Sequence, residues 1–172
     1  MFDVHAVFHC DKIWCQKKGV RYVPKSLATS QINLVAQERA SQTHHLLEKI
    51  IATAATAAGY DPRYNDNIDV FFSTTTDTIL VEVKSCWDLN LHTQFRRGVS
   101  QLFEYKYVYS EELGDNVIPV LLLETRPVAR NAWLLDYAKH IGIFVAWKKL
   151  SEECLESSME IPATMDKLVR KC

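Results

Sequence analysis

The sequence lacks any apolar run long enough to cross a membrane. A spanning helix needs about 18 or more consecutive apolar residues, whereas the longest runs here, such as VIPVLLLE at 117–124, have the length of a β-strand. The five cysteines are an odd number without a regular framework, and no basic segment followed by an apolar one opens the sequence. Secreted proteins usually have an even, regularly spaced set of cysteines and a basic segment followed by an apolar one at the start. We therefore expect a cytoplasmic protein with reduced cysteines and no membrane contact.

The sequence also has almost no excess charge. A formal net charge of −1 gives the molecule no general attraction to a polyanion, so a nucleic-acid surface must be a local patch. One such patch is predicted in the basic first 30 residues and another on the segment at 94–97. The residues predicted to contact nucleic acid are Lys17, Lys18, Arg21, Gln94, Arg96 and Arg97.

The composition that remains is that of a folded globular protein. Hydrophobic residues make up 48% of the 172 residues and aromatic residues 10%, which suffices for a buried core. We predict a single compact unit, with an N-terminal basic arm or hairpin at 1–30 and the main domain at 31–172. Neither proline nor glycine occurs between residues 30 and 58, which predicts a long helix that stops at Gly59 and has a break near 41–43.

Two short runs at 67–73 and 78–84, rich in β-branched and aromatic residues, predict a pair of antiparallel strands around the polar TTTD. Strands and helices alternate after this pair, which predicts an α/β fold with a mixed central β-sheet and helices on both faces. The remaining predicted elements are helices at 91–109 and 128–142, strands at 116–124 and 143–150, and a short helix after residue 151.

The last residues of the second strand carry two opposite charges. Because side chains alternate along a strand, Glu82 and Lys84 point to the same face. Charges on a buried face are costly unless something there needs them, and a metal ion with a water molecule would supply that need. The alternative is an ordinary ion pair at a strand end.

Asp69 is another carboxylate among apolar residues, in the first strand of the pair. A hairpin brings Asp69 towards Glu82, and a cation such as Mg²⁺ would relieve the repulsion between them while keeping waters for a phosphate substrate. The backbone carbonyl of Val83 is a further predicted ligand. Lys84 is then placed to orient the attacking water and to stabilise charge on the phosphate.

The second predicted helix carries one polar stripe at helical spacing, which suits contact with a phosphate backbone but is also typical of a solvated face. The stripe consists of Gln94, Arg97, Gln101 and Tyr105. The residues predicted to face the sheet are Phe95, Val99, Leu102 and Phe103.

The first predicted helix has one apolar stripe when its residues are placed at about 100° intervals. Glu48 then lies at the edge of the stripe with His44 beside it, whereas Glu38 lies on the solvent side. His44 and His45 are most simply surface histidines; if His44 faces the site, it is placed to contact Glu48 or the substrate. The stripe consists of Leu47, Ile50, Ile51, Ala54 and Ala58.

These residues, in this order, resemble the PD-(D/E)XK nuclease superfamily, whose fold is restriction-endonuclease-like, and the stretch at 67–85 is similar to its small resolvase-like members. The resemblance covers roughly 41–147. It rests on Glu48 in the first helix, Asp69, the EVK of Glu82 to Lys84, and the QxxxY of Gln101 to Tyr105. Ile68 stands where the superfamily often has proline.

The resemblance implies an endonuclease that hydrolyses phosphodiester bonds in DNA with Mg²⁺, for which Mn²⁺ can substitute, and a homodimer if it cuts both strands. Asp69 and Glu82 would bind the metal, and Lys84 would serve the water. Glu48 would reach the metal through water, and Gln101 with Tyr105 would complete the catalytic pocket.

Three further hypotheses stay open. The chain is alternatively a catalytically inactive DNA-binding or partner-docking module with the same fold, or an RNase on that scaffold. A zinc site in the N-terminal segment is a weaker hypothesis, and the simpler interpretation is that its histidines and cysteines are ordinary core or surface residues. Cys86 is expected to be a small buried hydrophobic residue rather than a nucleophile. The residues of that zinc hypothesis are His5, His9, Cys10 and Cys15.

Overall fold

The structure is a computed structural model that describes residues 31–148 and 155–157. Several predictions lie outside these residues: the arm at 1–30, the zinc hypothesis and most of the C-terminal tail. The predicted nucleic-acid contacts outside the described residues are Lys17, Lys18 and Arg21.

Helices and strands alternate along the chain after an initial helix and a strand pair. The helices are α1 (Gln31–Ala57), α2 (Leu91–Val108), the single turn α3 (Ser110–Leu113) and α4 (Trp133–His140), which a 3₁₀ turn (Ala129–Asn131) precedes. The strands are β1 (Val70–Ser73), β2 (Thr78–Lys84), β3 (Val117–Leu123), β4 (Phe144–Lys148) and β5 (Leu155–Ser157).

The five strands form one mixed sheet in the order β1-β2-β3-β4-β5. The β1 and β2 strands are antiparallel, with Val70 opposite Val81. The β2, β3 and β4 strands are mutually parallel, and β5 is antiparallel to β4. The predicted α/β fold, with its hairpin and its mixed sheet flanked by helices, is confirmed.

The alternation of side chains along the strands divides the core into two layers. On one face of the sheet, α1 packs through Leu47, Ile51 and Ala55 against residues such as Val81 and Val83. On the other face lie α2 and α4, and that layer includes Leu80, Phe95, Leu102, Leu121, Leu123, Leu134 and Ala138. Cys86 is buried in the second layer, as predicted.

Helix α1 follows the predicted stripe, although it runs from residue 31 to 57 without the predicted break. Gly59 has a φ of +88°, a left-handed conformation that favours glycine and ends the helix. Among residues 31–148 and 155–157, no helix is both long and apolar enough to span a membrane.

Three predictions about local structure are wrong. Phe103 does not face the sheet but is 45% exposed, because α2 turns its Leu102 side inward. The break predicted near 41–43 is absent, since α1 is continuous. The segment at 155–157 is a strand paired with β4, and the short helix predicted after residue 151 otherwise lies outside the described residues. Asp69 precedes β1 instead of lying in it, and its side chain, not its backbone, bonds to β2.

Candidate active site

The charged residues predicted from the strand pair meet at one end of the sheet. Glu82 and Lys84 lie in the last residues of β2, and Asp69 lies immediately before β1. The antiparallel register, in which Val70 is opposite Val81, places Asp69 opposite Glu82 when it is continued by one residue. Directly opposite residues share a face of the sheet, so the fold brings these two carboxylates together.

Glu82 is the most deeply buried of these groups, with 2% of its surface exposed. Its Oε1 accepts a hydrogen bond from Lys84 Nζ. Its Oε2 is buried and has no hydrogen-bond partner among the described residues. Burial, together with the nearby charge of Asp69, raises the pKa of Glu82 to about 7, although Lys84 opposes this.

A buried carboxylate oxygen without a partner is costly. A divalent cation is one group that satisfies it, because carboxylate oxygens are preferred ligands of Mg²⁺ and Mn²⁺. The residues around Glu82 therefore fit the predicted cation.

Asp69 is held in place by the backbone of β2. Its Oδ2 accepts a hydrogen bond from the Val83 backbone N–H at 2.8 Å. Its Oδ1 lies 3.3 Å from Nε2 of His44 in α1. The carboxylate thus links the strand pair to the first helix, while the role of the Val83 carbonyl as a ligand stays a prediction.

Helix α1 contributes a second carboxylate and two histidines. Nε2 of His44 lies 3.0 Å from Oε1 of Glu48, and Nδ1 of His45 lies 2.9 Å from Oε2 of Glu48. Residues four apart lie on the same side of a helix, which is why His44 and Glu48 meet. One potential ligand atom from each of His44, Glu48 and Asp69 lies within 4.8 Å of the others, so the three side chains can hold a metal ion.

The charges in this cluster shift the pKa values of its members. Burial acts to lower the pKa of His44, but its hydrogen bonds to Asp69 and Glu48 raise the pKa to about 9. Burial acts to raise the pKa of Glu48, but hydrogen bonds from His44 and His45 lower it. In the absence of a metal, His44 is therefore a cation between two carboxylates at neutral pH.

Helix α2 lies over the end of β2 because it has a glycine at the point of closest approach. A Cβ atom built on Gly98 would lie 2.4 Å from Cδ1 of Leu121 and 3.4 Å from Cγ of Lys84. A separation of 2.4 Å between two carbon atoms is too short, so the Leu121 side chain would have to move. Gly98 thus allows α2 to pack directly against Lys84.

About one and two turns beyond Gly98, Gln101 and Tyr105 lie on the side of α2 that faces the charged cluster. Nε2 of Gln101 donates a hydrogen bond to the Tyr105 hydroxyl at 2.8 Å. Burial and the charge of Glu82 raise the pKa of Tyr105 to about 12. The phenol is therefore protonated, and able to donate, throughout the neutral range.

The other residues of α2 that were predicted to bind nucleic acid lie nearer to the solvent. Arg96 and Arg97 are exposed, and Gln94 is half-buried. The structure therefore brings Glu48, Asp69, Glu82, Lys84, Gln101 and Tyr105 to one end of the sheet, whereas the arginines remain on the solvent side of α2.

Two residues of this region were missed in the sequence. His45 makes a hydrogen bond with Glu48. The sign of this contact in the sequence is that two histidines stand three and four residues before a glutamate. Glu124, just after β3, accepts a hydrogen bond from the Cys86 backbone N–H at 2.9 Å and pairs with Arg39 of α1. It fixes the loop that follows Lys84, and a charged residue at the end of an apolar central strand is the only sign of it in the sequence.

No protein-family model matches the sequence, and no curated protein matches it. Among solved structures, the chain is similar to an XisH family protein from Nostoc punctiforme, with a TM-score of 0.50 and 12% sequence identity over 66% of this chain and 99% of that one. It is also similar to an fdxN element excision controlling factor protein from Anabaena variabilis, with a TM-score of 0.47 and 17% identity over 64% of this chain and 95% of that one. At these identities the first similarity shows a shared fold.

Proposed function

We propose that this chain is a metal-dependent endonuclease that hydrolyses phosphodiester bonds in DNA. The observation that carries the proposal is the buried Oε2 of Glu82, which has no hydrogen-bond partner in the described part of the chain. Glu82 lies at the end of β2, close to Asp69 and Lys84. A carboxylate that serves only in an ion pair has no reason to leave one buried oxygen without a partner, whereas a carboxylate that binds a cation must have an oxygen available.

Asp69 and Glu82 are proposed to hold Mg²⁺ or Mn²⁺, and Glu48 supports the ion from α1. When bound, the cation supplies positive charge that acidifies a water molecule and polarises the phosphate. Carboxylates from β2, from the segment just before β1 and from α1 would hold such an ion at this end of the sheet.

Lys84 is proposed to orient the attacking water and to stabilise the negative charge that develops on the phosphate. Its ammonium group is paired with Glu82, and its aliphatic part lies beside Gly98 of α2. Tyr105 and Gln101 supply neutral donors at the same end of the sheet.

The exposed Arg96 and Arg97, with Gln94, are proposed to contact the phosphate backbone, since guanidinium groups bind phosphates in a bidentate manner. The described part of the chain holds one such site, and one site would cut one strand at a time. A homodimer is therefore the proposed form for cleavage of both strands.

The test is cleavage of supercoiled plasmid and of linear DNA with Mg²⁺ or Mn²⁺. Asp69→Asn keeps the size of the side chain but removes its charge, and should abolish cleavage. Lys84→Met should lower the rate at least about 100-fold. Asp66→Asn is the matched control, because Asp66 is exposed and only three residues from Asp69, and it should cleave like wild type.

Cleavage that is absent in wild type, or equal in wild type and Asp69→Asn, would refute the proposal. Salt-sensitive DNA binding without any cleavage would instead indicate a binding module. RNA and DNA oligonucleotides of the same sequence separate a deoxyribonuclease from an RNase, and the proposal requires the DNA to be cut faster.

A further inference from the structure

His44 contacts carboxylates from two different parts of the fold. Its Nε2 lies 3.0 Å from Glu48 Oε1 and 3.3 Å from Asp69 Oδ1. A nitrogen and two oxygens from two elements of the fold therefore converge on one point. The i, i+4 spacing of His44 and Glu48 on α1 is one that lets two ligands on a helix reach the same ion.

The outer oxygens of both carboxylates are already held by other donors. Nδ1 of His45 lies 2.9 Å from Oε2 of Glu48, and the Val83 N–H donates to Oδ2 of Asp69 at 2.8 Å. In each carboxylate, one oxygen is therefore bound by His45 or by the Val83 N–H, and the other oxygen lies next to Nε2 of His44. Hydrogen bonds that orient the ligands in this way are typical of metal sites and preserve their geometry.

An independent observation comes from the strand opposite Asp69. The Oε2 atom of Glu82 is buried and has no hydrogen-bond partner among the described residues. Repulsion between Glu82 and Asp69 also makes the metal-free arrangement costly. A cation held by Asp69 would reduce the repulsion between the two carboxylates and would place positive charge near the unpartnered oxygen.

We infer that His44 is a direct ligand of the cation, together with Glu48 and Asp69, and that the site therefore binds transition metals such as Mn²⁺ and Co²⁺ more tightly than Mg²⁺. Imidazole nitrogen suits first-row transition metals, whereas Mg²⁺ prefers oxygen ligands and retains its waters. The inference rests on the proposed function in that the ion is the same one. It differs from the expectation for the resembled superfamily, in which Glu48 contacts the metal only through water.

The direct test is pulsed electron paramagnetic resonance of the full chain with one equivalent of Mn²⁺. A histidine nitrogen bound to Mn²⁺ modulates the electron spin echo at ¹⁴N frequencies. Wild type should show this modulation, and His44→Gln should lose it. His92→Gln is the matched control, because His92 is an exposed histidine on α2 that meets Trp133 edge to face, and it should keep the modulation.

Calorimetric titration gives the second readout. His44→Gln should weaken Mn²⁺ and Co²⁺ binding by about 10- to 100-fold, while Mg²⁺ affinity should change by less than about 3-fold. Wild type should bind Mn²⁺ at least about 10-fold more tightly than Mg²⁺. If His44→Gln fails to fold, the absence of modulation in wild type still overturns the inference, and His44→Asn serves as the second variant for assigning the nitrogen.

The outcomes separate this inference from the proposed function. Bound Mn²⁺ without ¹⁴N modulation in wild type, or no Mn²⁺ binding at all, would overturn the inference. DNA cleavage without the modulation would leave the nuclease proposal standing and remove His44 as a ligand. The modulation without DNA cleavage would support the ligand role and refute the nuclease proposal.

Discussion

The buried Glu82 carboxylate predicts an unusual response of the metal-free protein to pH. Its pKa rises from 4.5 to about 7 on folding, so the folded state holds this proton more tightly than the unfolded state. The associated stability is fully present below pH 4.5 and is lost as the pH rises through about 7. At roughly 1.36 kcal/mol per pKa unit, the loss between these limits is about 3 kcal/mol.

Glu82→Gln removes the charge but keeps nearly the same volume. In EDTA at pH 8 this variant should therefore be more stable than wild type, by up to about 3 kcal/mol less the lost pairing with Lys84. At pH 5 the two proteins should differ little, because Glu82 is then protonated in the folded state.

The assay is urea denaturation in EDTA at several pH values between 5 and 8, with Asp66→Asn as a control for loss of an exposed charge. His44 adds a loss of stability in the same direction at higher pH, between 6.5 and about 9, because its folded pKa is also raised. This second loss should persist in Glu82→Gln. A wild-type protein that becomes more stable from pH 5 to pH 7 in EDTA, or a Glu82→Gln variant less stable than wild type at pH 8, would show that folding does not raise the pKa of Glu82.

Three further predictions concern the surroundings of the site. Gly98→Ala should destabilise the fold by roughly 1 to 3 kcal/mol in denaturation, because its Cβ would meet Leu121 at 2.4 Å; unchanged stability would contradict the close packing of α2. Glu124→Ala should cost about 2 kcal/mol by leaving the Cys86 N–H without its acceptor, whereas Glu124→Gln, which keeps an acceptor, should cost less than about 1 kcal/mol; equal losses would argue against that hydrogen bond. Arg97→Gln should lower the slope of log affinity for DNA against log salt by about 0.9, and an unchanged slope would show that Arg97 makes no phosphate contact.

The parts of the fold that follow local periodicity were predictable. The alternation in TILVEVK places Glu82 and Lys84 on one face, and the adjacent apolar run predicts the hairpin that brings Asp69 to Glu82. The wheel of α1 likewise separates Glu48 from Glu38, which is exposed in the structure. Each of these predictions depends on residues within about one element.

The parts that depend on distant contacts were not predictable. Phe103 has the spacing of a core residue, but the way α2 lies on β2 and β3 leaves it in solvent. The role of Glu124 depends on Cys86 and Arg39, 38 and 85 residues away in the chain. The spacing of a sequence carries no information about such pairs.

One contact in the candidate site was likewise not predictable from the sequence. The sequence indicated that His44 was close to Glu48, but not that its ring nitrogen also reaches Asp69. That contact requires the packing of α1 against the end of the strand pair. The preference for a nitrogen-binding metal therefore follows only from the structure.

The most direct test of the central claim is diffraction at the manganese absorption edge from a crystal soaked in Mn²⁺. We predict an anomalous peak at the end of the β1–β2 pair, with Asp69 and Glu82 as carboxylate neighbours and His44 on the α1 side. A crystal saturated with Mn²⁺ that shows no ion at these residues would contradict it.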